Sequence, residues 1–170
     1  MKTFIKIIKN YFLCHKYKFL KMYNVYTGKF CGYYNTWYDC ISAGWKKAFG
    51  KNLCRELKKA LKKDKFYKKF RIIEVKEKFG TLRIYHLGIS DRAYQVIDKY
   101  EKMSWNYCIV CGEKALYDTY NFNLYICPYC EECFKKIVKS RFKDDNFEEK
   151  KFRELKEKCA KDKEESEVEM

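Results

Sequence analysis

Two Cys-x-x-Cys turns in one short stretch constrain this chain more than any other feature. Cys108-Ile109-Val110-Cys111-Gly112 is the first. After fifteen intervening residues comes Cys127-Pro128-Tyr129-Cys130, and Cys133 follows three residues later. A C-x-x-C turn aims two sulfurs at one point, and two such pairs at this separation suit one tetrahedral zinc ion. The glycine after Cys111 permits a tight return of the backbone. Four thiolates leave no open coordination position, so a metal held this way is structural and not a catalyst. In isolated zinc-finger peptides such binding supplies roughly 10–16 kcal/mol of folding free energy.

The expected ligands are Cys108, Cys111, Cys127 and Cys130. Residues 114–118 and 123–126 are expected to form a short hairpin turning near Asn121, whose second strand, Leu124-Tyr125-Ile126, delivers Cys127. Pro128 then suits the first position of a helix, where its missing N–H costs nothing. Phe134, Ile137, Val138 and Phe142 continue that helix as an apolar stripe. Knuckle, hairpin and a ligand pair at a helix start describe a treble-clef or zinc-ribbon-like module. A rival set takes Cys130 and Cys133 and leaves Cys127 spare.

Ten cysteines raise the question of disulfides. Lys6 and Lys9 interrupt the first apolar run, so no signal peptide is read there. No apolar stretch approaches the ~20 residues that span a bilayer. The chain therefore reads as cytoplasmic, where paired C-x-x-C spacing favours metal over disulfides. Cys31 and Cys40 fit no knuckle spacing and are expected to be packed thiols. The adjacent Cys14 and His15 could form a ligand pair, but a histidine on an apolar helical face is more often packed.

Periodicity supplies the other elements. Residues 3–20 read as a helix with Phe4, Ile8, Tyr11, Phe12, His15 and Phe19 on one side and Lys2, Lys6, Lys9 and Lys16 on another. This helix either docks its apolar stripe on the core or lies as a basic amphipathic helix on a membrane surface or a partner. Residues 24–43 show no period. Tyr33, Tyr34, Trp37 and Tyr38 lie there as core and rim, or as a stacking platform for bases. Trp45, Phe49, Leu53, Leu57 and Leu61 repeat every four residues in a helix over 45–62, with a break allowed at Gly50. Residues 70–87 alternate as a β-hairpin connected through Glu77-Lys78-Phe79-Gly80, with His86 on the buried side. Residues 90–104 form a helix capped by Ser90 or Asp91. Residues 146–163 form a charged helix with i, i+4 ion pairs, followed by an acidic tail. The predicted class is α+β: helices around a small antiparallel hairpin, with the zinc module appended. The predicted segments are 1–43, 44–105, 106–143 and 144–170.

Charge is placed unevenly. The chain carries a formal net charge of +15. Residues 1–88 hold 22 basic and 5 acidic side chains, while residues 89–170 hold 16 and 18. A positive field of this kind points to polyanionic partners. The candidate phosphate contacts are Lys46, Lys47, Lys58, Lys59, Lys62, Lys63, Lys68, Lys69 and Arg71, with nucleic acid or a nucleoprotein as the partner. Only His15 and His86 are available as imidazole bases, and neither lies near the knuckles in sequence. There is no Gly-rich phosphate loop, nucleophile elbow or H-E-x-x-H, so the chain is read as a binding protein and not an enzyme.

The stretch from about Gly44 to Cys133 resembles a group of small phage and prophage proteins, most without assigned function. The resemblance rests on Gly44-Trp45 and Leu53-Cys54, on the run Lys76-Glu77-Lys78-Phe79-Gly80-Thr81-Leu82-Arg83, and on the C-x-x-C-G…C-x-x-C module from Cys108 to Cys130. It implies origin on a mobile element more than any activity. Residues 1–43 and 134–170, together with His86 and Cys133, depart from that pattern. A small basic phage-like protein also suits a second role, as an anti-CRISPR-like inhibitor that binds a host defence nuclease.

Overall fold

Alternation of Leu82 and Ile84 with Arg83 and Tyr85 builds a strand that buries one face and leaves the other wet, and its partner does the same. A computed structural model describes residues 2–119 and 126–141 and the single positions 153, 154 and 157. In it β1 (Arg71–Lys78) and β2 (Thr81–Leu87) pair antiparallel as a two-stranded sheet. β1 runs two residues further than the sequence pattern predicts. Lys78 pairs with Thr81, and Phe79 and Gly80 alone make the turn. Both have positive φ, 51° and 76°. A two-residue turn of this hand matches the twist of the strands. A bulge lies at Ile73, between Ile72 and Glu74.

A two-stranded sheet leaves backbone groups unpaired along its edges. A neighbouring helix, α4 (Asp91–Ser104), satisfies the edge of β2 with side chains. The Leu82 N–H donates to Ser104 Oγ at 2.8 Å and the Ile84 N–H to Glu101 Oε1 at 2.7 Å. Ser90 caps α4, its Oγ accepting the Ala93 N–H as the sequence predicts. Ala93, Ile97 and Tyr100 are buried against the core.

The four-residue repeat from Trp45 to Leu61 is buried throughout. The helix carrying it does not break at Gly50. It starts as α2 (Ala43–Trp45), widens through a π-helical turn (Lys46–Gly50) and continues as α3 (Lys51–Lys63). Gly50 is where the Tyr38 ring crosses, and a β-carbon there would meet Tyr38 Oη at 2.8 Å. Phe70, Ile72, Val75, Leu82 and Ile84 of the hairpin join the same core.

The N-terminal helix corrects the docking expected for it. α1 covers Lys2–Lys16, and a 3₁₀ turn (Lys18–Leu20) follows. Of the predicted apolar stripe only Phe19, beyond the helix, is buried. Phe4, Ile8, Tyr11, Phe12 and His15 all face outward. The helix is held instead by Asn10 and Cys14, both buried, with Leu13 packed beside them. Asn10 Nδ2 donates to Asp39 Oδ2 at 3.0 Å and to the Tyr34 carbonyl at 3.3 Å. Lys6 Nζ donates to Asn35 Oδ1 at 2.8 Å. Cys31 and Cys40 are exposed and not packed. Trp37 and Tyr38 pack on the core, whereas Tyr34 remains more than half exposed. His86 is half-buried against Phe70, with ring centroids 5.8 Å apart, and its pKa is lowered by burial. The predicted helix over 146–163 lies outside the described residues apart from 153, 154 and 157.

Candidate metal centre and basic surface

The first knuckle is closed by its own backbone. The Gly112 N–H donates to the Cys108 carbonyl at 3.0 Å, and the Cys108 N–H donates to the Glu113 carbonyl at 2.7 Å. Gly112 has φ of +80°, a conformation that a side chain would strain. Tyr107 and Lys114 pair across the base of the turn, and Tyr117 pairs with Tyr129 further along. α5 (Glu131–Arg141) begins directly after Cys130, and its Phe134 is buried with its ring stacked on Tyr117 at 5.1 Å.

This arrangement gathers Cys108, Cys111, Cys130 and Cys133, whose sulfurs all lie within 4.8 Å of one another. The Cys111 and Cys130 sulfurs are 3.4 Å apart, too far for a disulfide. Thiolates on a tetrahedral zinc at ~2.3 Å sit roughly 3.8 Å from each other, so the four sulfurs fit such an ion with small adjustments. Cys108 and Cys130 are buried, and Cys111 and Cys133 are half-buried.

The ligand set is thus corrected in one member: Cys133 takes the place expected for Cys127. The cause is where the last helix starts. Pro128 does not open it. Its carbonyl accepts the Ile109 N–H at 2.9 Å, and Tyr129 is still extended, exchanging hydrogen bonds with Tyr117. The first helical turn therefore falls three residues later and carries Cys133. Cys127 is buried, and its N–H donates to Thr119 Oγ1 at 3.2 Å. Burial, followed by the nearby Glu77 carboxylate, pushes its thiol up to about 11. The hairpin tip predicted near Asn121 and its strand residues Leu124 and Tyr125 lie outside the described residues.

Protonation within the cluster follows from crowding. Burial pushes the Cys108 thiol up, but the backbone N–H groups of Cys111, Cys130 and Val110 outweigh it and bring it down to about 7. Burial and the neighbouring sulfurs of Cys130, Cys111 and Cys108 push Cys133 well above the ordinary thiol range. Four sulfurs this close cannot all ionise unless a cation is placed among them. A divalent ion satisfies that requirement.

The module is fastened to the helical core by backbone contact. The Gly44 N–H donates to the Ile109 carbonyl at 3.0 Å. A β-carbon on Gly44 would lie 2.1 Å from the Cys108 carbonyl oxygen, and one on Gly112 would lie 2.5 Å from the Gly44 oxygen. Trp45 Nε1 donates to the Tyr107 carbonyl at 3.0 Å. At the hairpin turn, a β-carbon on Gly80 would meet the Trp105 ring at 2.4 Å. The Gly-Trp pair and the Phe-Gly turn picked out in the sequence are therefore both docking points for the segment that carries the cysteines.

The nine predicted phosphate contacts divide between two places. Lys46 and Lys47 lie at the π-helical turn, where Lys46 Nζ reaches the Asp39 carbonyl at 3.4 Å and Lys47 pairs with Glu113 at 3.3 Å. The other seven run from the far end of α3 through the turn that follows it to the start of β1. Lys58 Nζ donates to the Lys16 carbonyl at 2.7 Å, capping α1, and lies 5.4 Å from the Tyr17 ring. Burial, then the charges of Lys62 and Lys16, lower its pKa. Lys62 lies over Tyr67, Lys69 over Phe66 and Arg71 over Tyr23. Lys59, Lys63 and Lys68 are exposed. Among the described residues none of Lys58, Lys59, Lys62, Lys63, Lys68 and Lys69 pairs with a carboxylate. The nearby acids are engaged elsewhere, Asp64 with Arg92 and Glu56 with Lys99. Sequence reasoning missed that Lys16 and Lys21 join this surface. Lys16 lies over Tyr17, and Lys21 over Phe30, whose ring touches Tyr23. Only the fold brings the end of α1 to the end of α3.

No known family model, curated protein or solved structure matches this chain.

Proposed function

We propose that the chain is a zinc-stabilised, non-catalytic protein, encoded on a phage or other mobile element, that binds nucleic acid or a nucleoprotein through this basic surface. The observation that carries the reading is the meeting of Lys16, Lys58 and Lys62 around Tyr17 and Tyr67, with no carboxylate paired to them among the described residues. Cations gathered beside the buried Tyr17 and the half-buried Tyr67 neutralise phosphates. The two histidines stand apart from the cysteine cluster. His15 Nδ1 bonds to the Tyr11 carbonyl on α1, and His86 faces Phe70, so neither meets the cysteine cluster.

The test is salt dependence. If six to ten phosphates are contacted, affinity falls by about 10³–10⁵ between roughly 50 and 200 mM salt. Lys62→Ala and Lys69→Ala, neither of which caps a helix, each flatten the logarithmic slope by about one unit. A flat salt response in the wild-type chain overturns the proposal.

A further inference from the structure

The side of α1 turned to solvent is its apolar side. At 3.6 residues per turn, Phe4, Ile5, Ile8, Tyr11 and Phe12 fall within an arc of about 120°. They are 67%, 48%, 41%, 43% and 65% exposed. The polar Asn10 and the small Cys14 face inward and are buried. The clamps that fix this rotation are the hydrogen bonds of Asn10 to Asp39 and Tyr34 and of Lys6 to Asn35. An apolar stripe left facing water by deliberate polar clamps marks an interaction surface.

Charge selects the occupant. Lys9 and Lys16 are exposed and lie along one border of the stripe. No acidic residue occurs before Asp39. Asp39 is turned to the protein, where its Oδ2 accepts from the Thr36 N–H, Thr36 Oγ1 and Asn10 Nδ2 at 2.8–3.0 Å. A second copy would set lysine border against lysine border in two chains that each carry +15. A nucleic acid offers nothing to the aliphatic Ile5 and Ile8, which neither stack nor hydrogen-bond. An anionic lipid surface meets both halves of the pattern: acyl chains receive Phe4, Ile5, Ile8 and Phe12, and headgroup phosphates receive Lys9 and Lys16.

We propose that α1 lies in the plane of an anionic bilayer surface, with Phe4, Ile8 and Phe12 inserted and Lys9 and Lys16 at the headgroups. This goes beyond the nucleic-acid reading: it uses the apolar stripe of α1, and Lys16 is where that stripe meets the basic surface. No described helix is long and apolar enough to cross a membrane, so the contact is with the surface alone.

The full chain is mixed with vesicles of phosphatidylcholine, with and without phosphatidylglycerol, and sedimented. Binding is expected only to the anionic vesicles. Ile8→Ser/Phe12→Ser keeps every charge and changes only exposed positions, and it weakens that binding at least tenfold. Because a basic protein also adheres through charge alone, a second variant reads insertion. Phe12→Trp should show a blue-shifted emission on the anionic vesicles. Equal binding by wild type and the double serine variant, or no blue shift, overturns the proposal. So does a dimer in solution that the serine variant abolishes, which would assign the stripe to a second copy. Loss of nucleic-acid binding by the serine variant, with no vesicle binding by the wild type, would assign it to nucleic acid.

Discussion

The N-terminal helix and the cysteine module are both fastened to one helical core, by opposite means. α1 is held by side chains: an amide to a carboxylate, an ammonium to an amide, and a lysine from α3 that caps its last turn. Its apolar surface is left over. The cysteine module is held by backbone against backbone at Gly44 and Gly112, with the Trp45 indole donating to the Tyr107 carbonyl beside them. Side-chain clamps in half-exposed places are each worth about 1 kcal/mol, whereas a backbone contact with no spare volume tolerates no change at all. The first attachment can loosen while the core persists. The second stands or falls with the core.

The largest expected effect is at the cysteines. Cys108→Ser should abolish stoichiometric zinc and with it a contribution of roughly 10 kcal/mol, so the module unfolds and the core melts early. Cys127→Ser should retain the metal and cost about 1–3 kcal/mol for a buried hydroxyl. Elemental analysis together with thermal melts separates the two. A chain that loses zinc at Cys127→Ser and keeps it at Cys133→Ser would return the ligand set to the one expected from sequence.

Gly44→Ala comes next. Its methyl would overlap the Cys108 carbonyl, and we expect about 3 kcal/mol of destabilisation in a urea titration at constant zinc. The loss should appear as one transition, because the module and the core share that contact. Two separated transitions would break the comparison drawn above. The smallest effect is at α1. Asn10→Ala should cost about 1 kcal/mol globally and speed amide exchange within α1 alone. If Ile8→Ser cost more than Asn10→Ala, the helix would be held by its apolar stripe after all.

These contrasts also show what the sequence could and could not reveal. Local signals were legible: the alternation through Leu82 and Ile84, the four-residue repeat from Trp45 to Leu61, the Ser90 cap and the Cys-x-x-Cys spacing. Each depends on neighbours within one turn or one strand. The side of α1 that faces inward was not legible. It is decided by Asp39 and Asn35, more than twenty residues away, and those clamps override a periodic stripe. The choice between Cys127 and Cys133 failed for a similar reason. Pro128 carries a helix-start signal, but pairing of Tyr129 with Tyr117 keeps the chain extended past it. The basic surface was half legible, because Lys58 to Arg71 are contiguous while Lys16 and Lys21 arrive through the fold.

The meeting of Gly44 with Gly112 has a consequence for how such a sequence can drift. Each missing side chain makes room for peptide atoms of the other segment, so enlarging one residue cannot be rescued by trimming the other. A suppressor screen begun from Gly44→Ala should return true revertants, or changes that move a whole segment, and no compensating replacement at position 112.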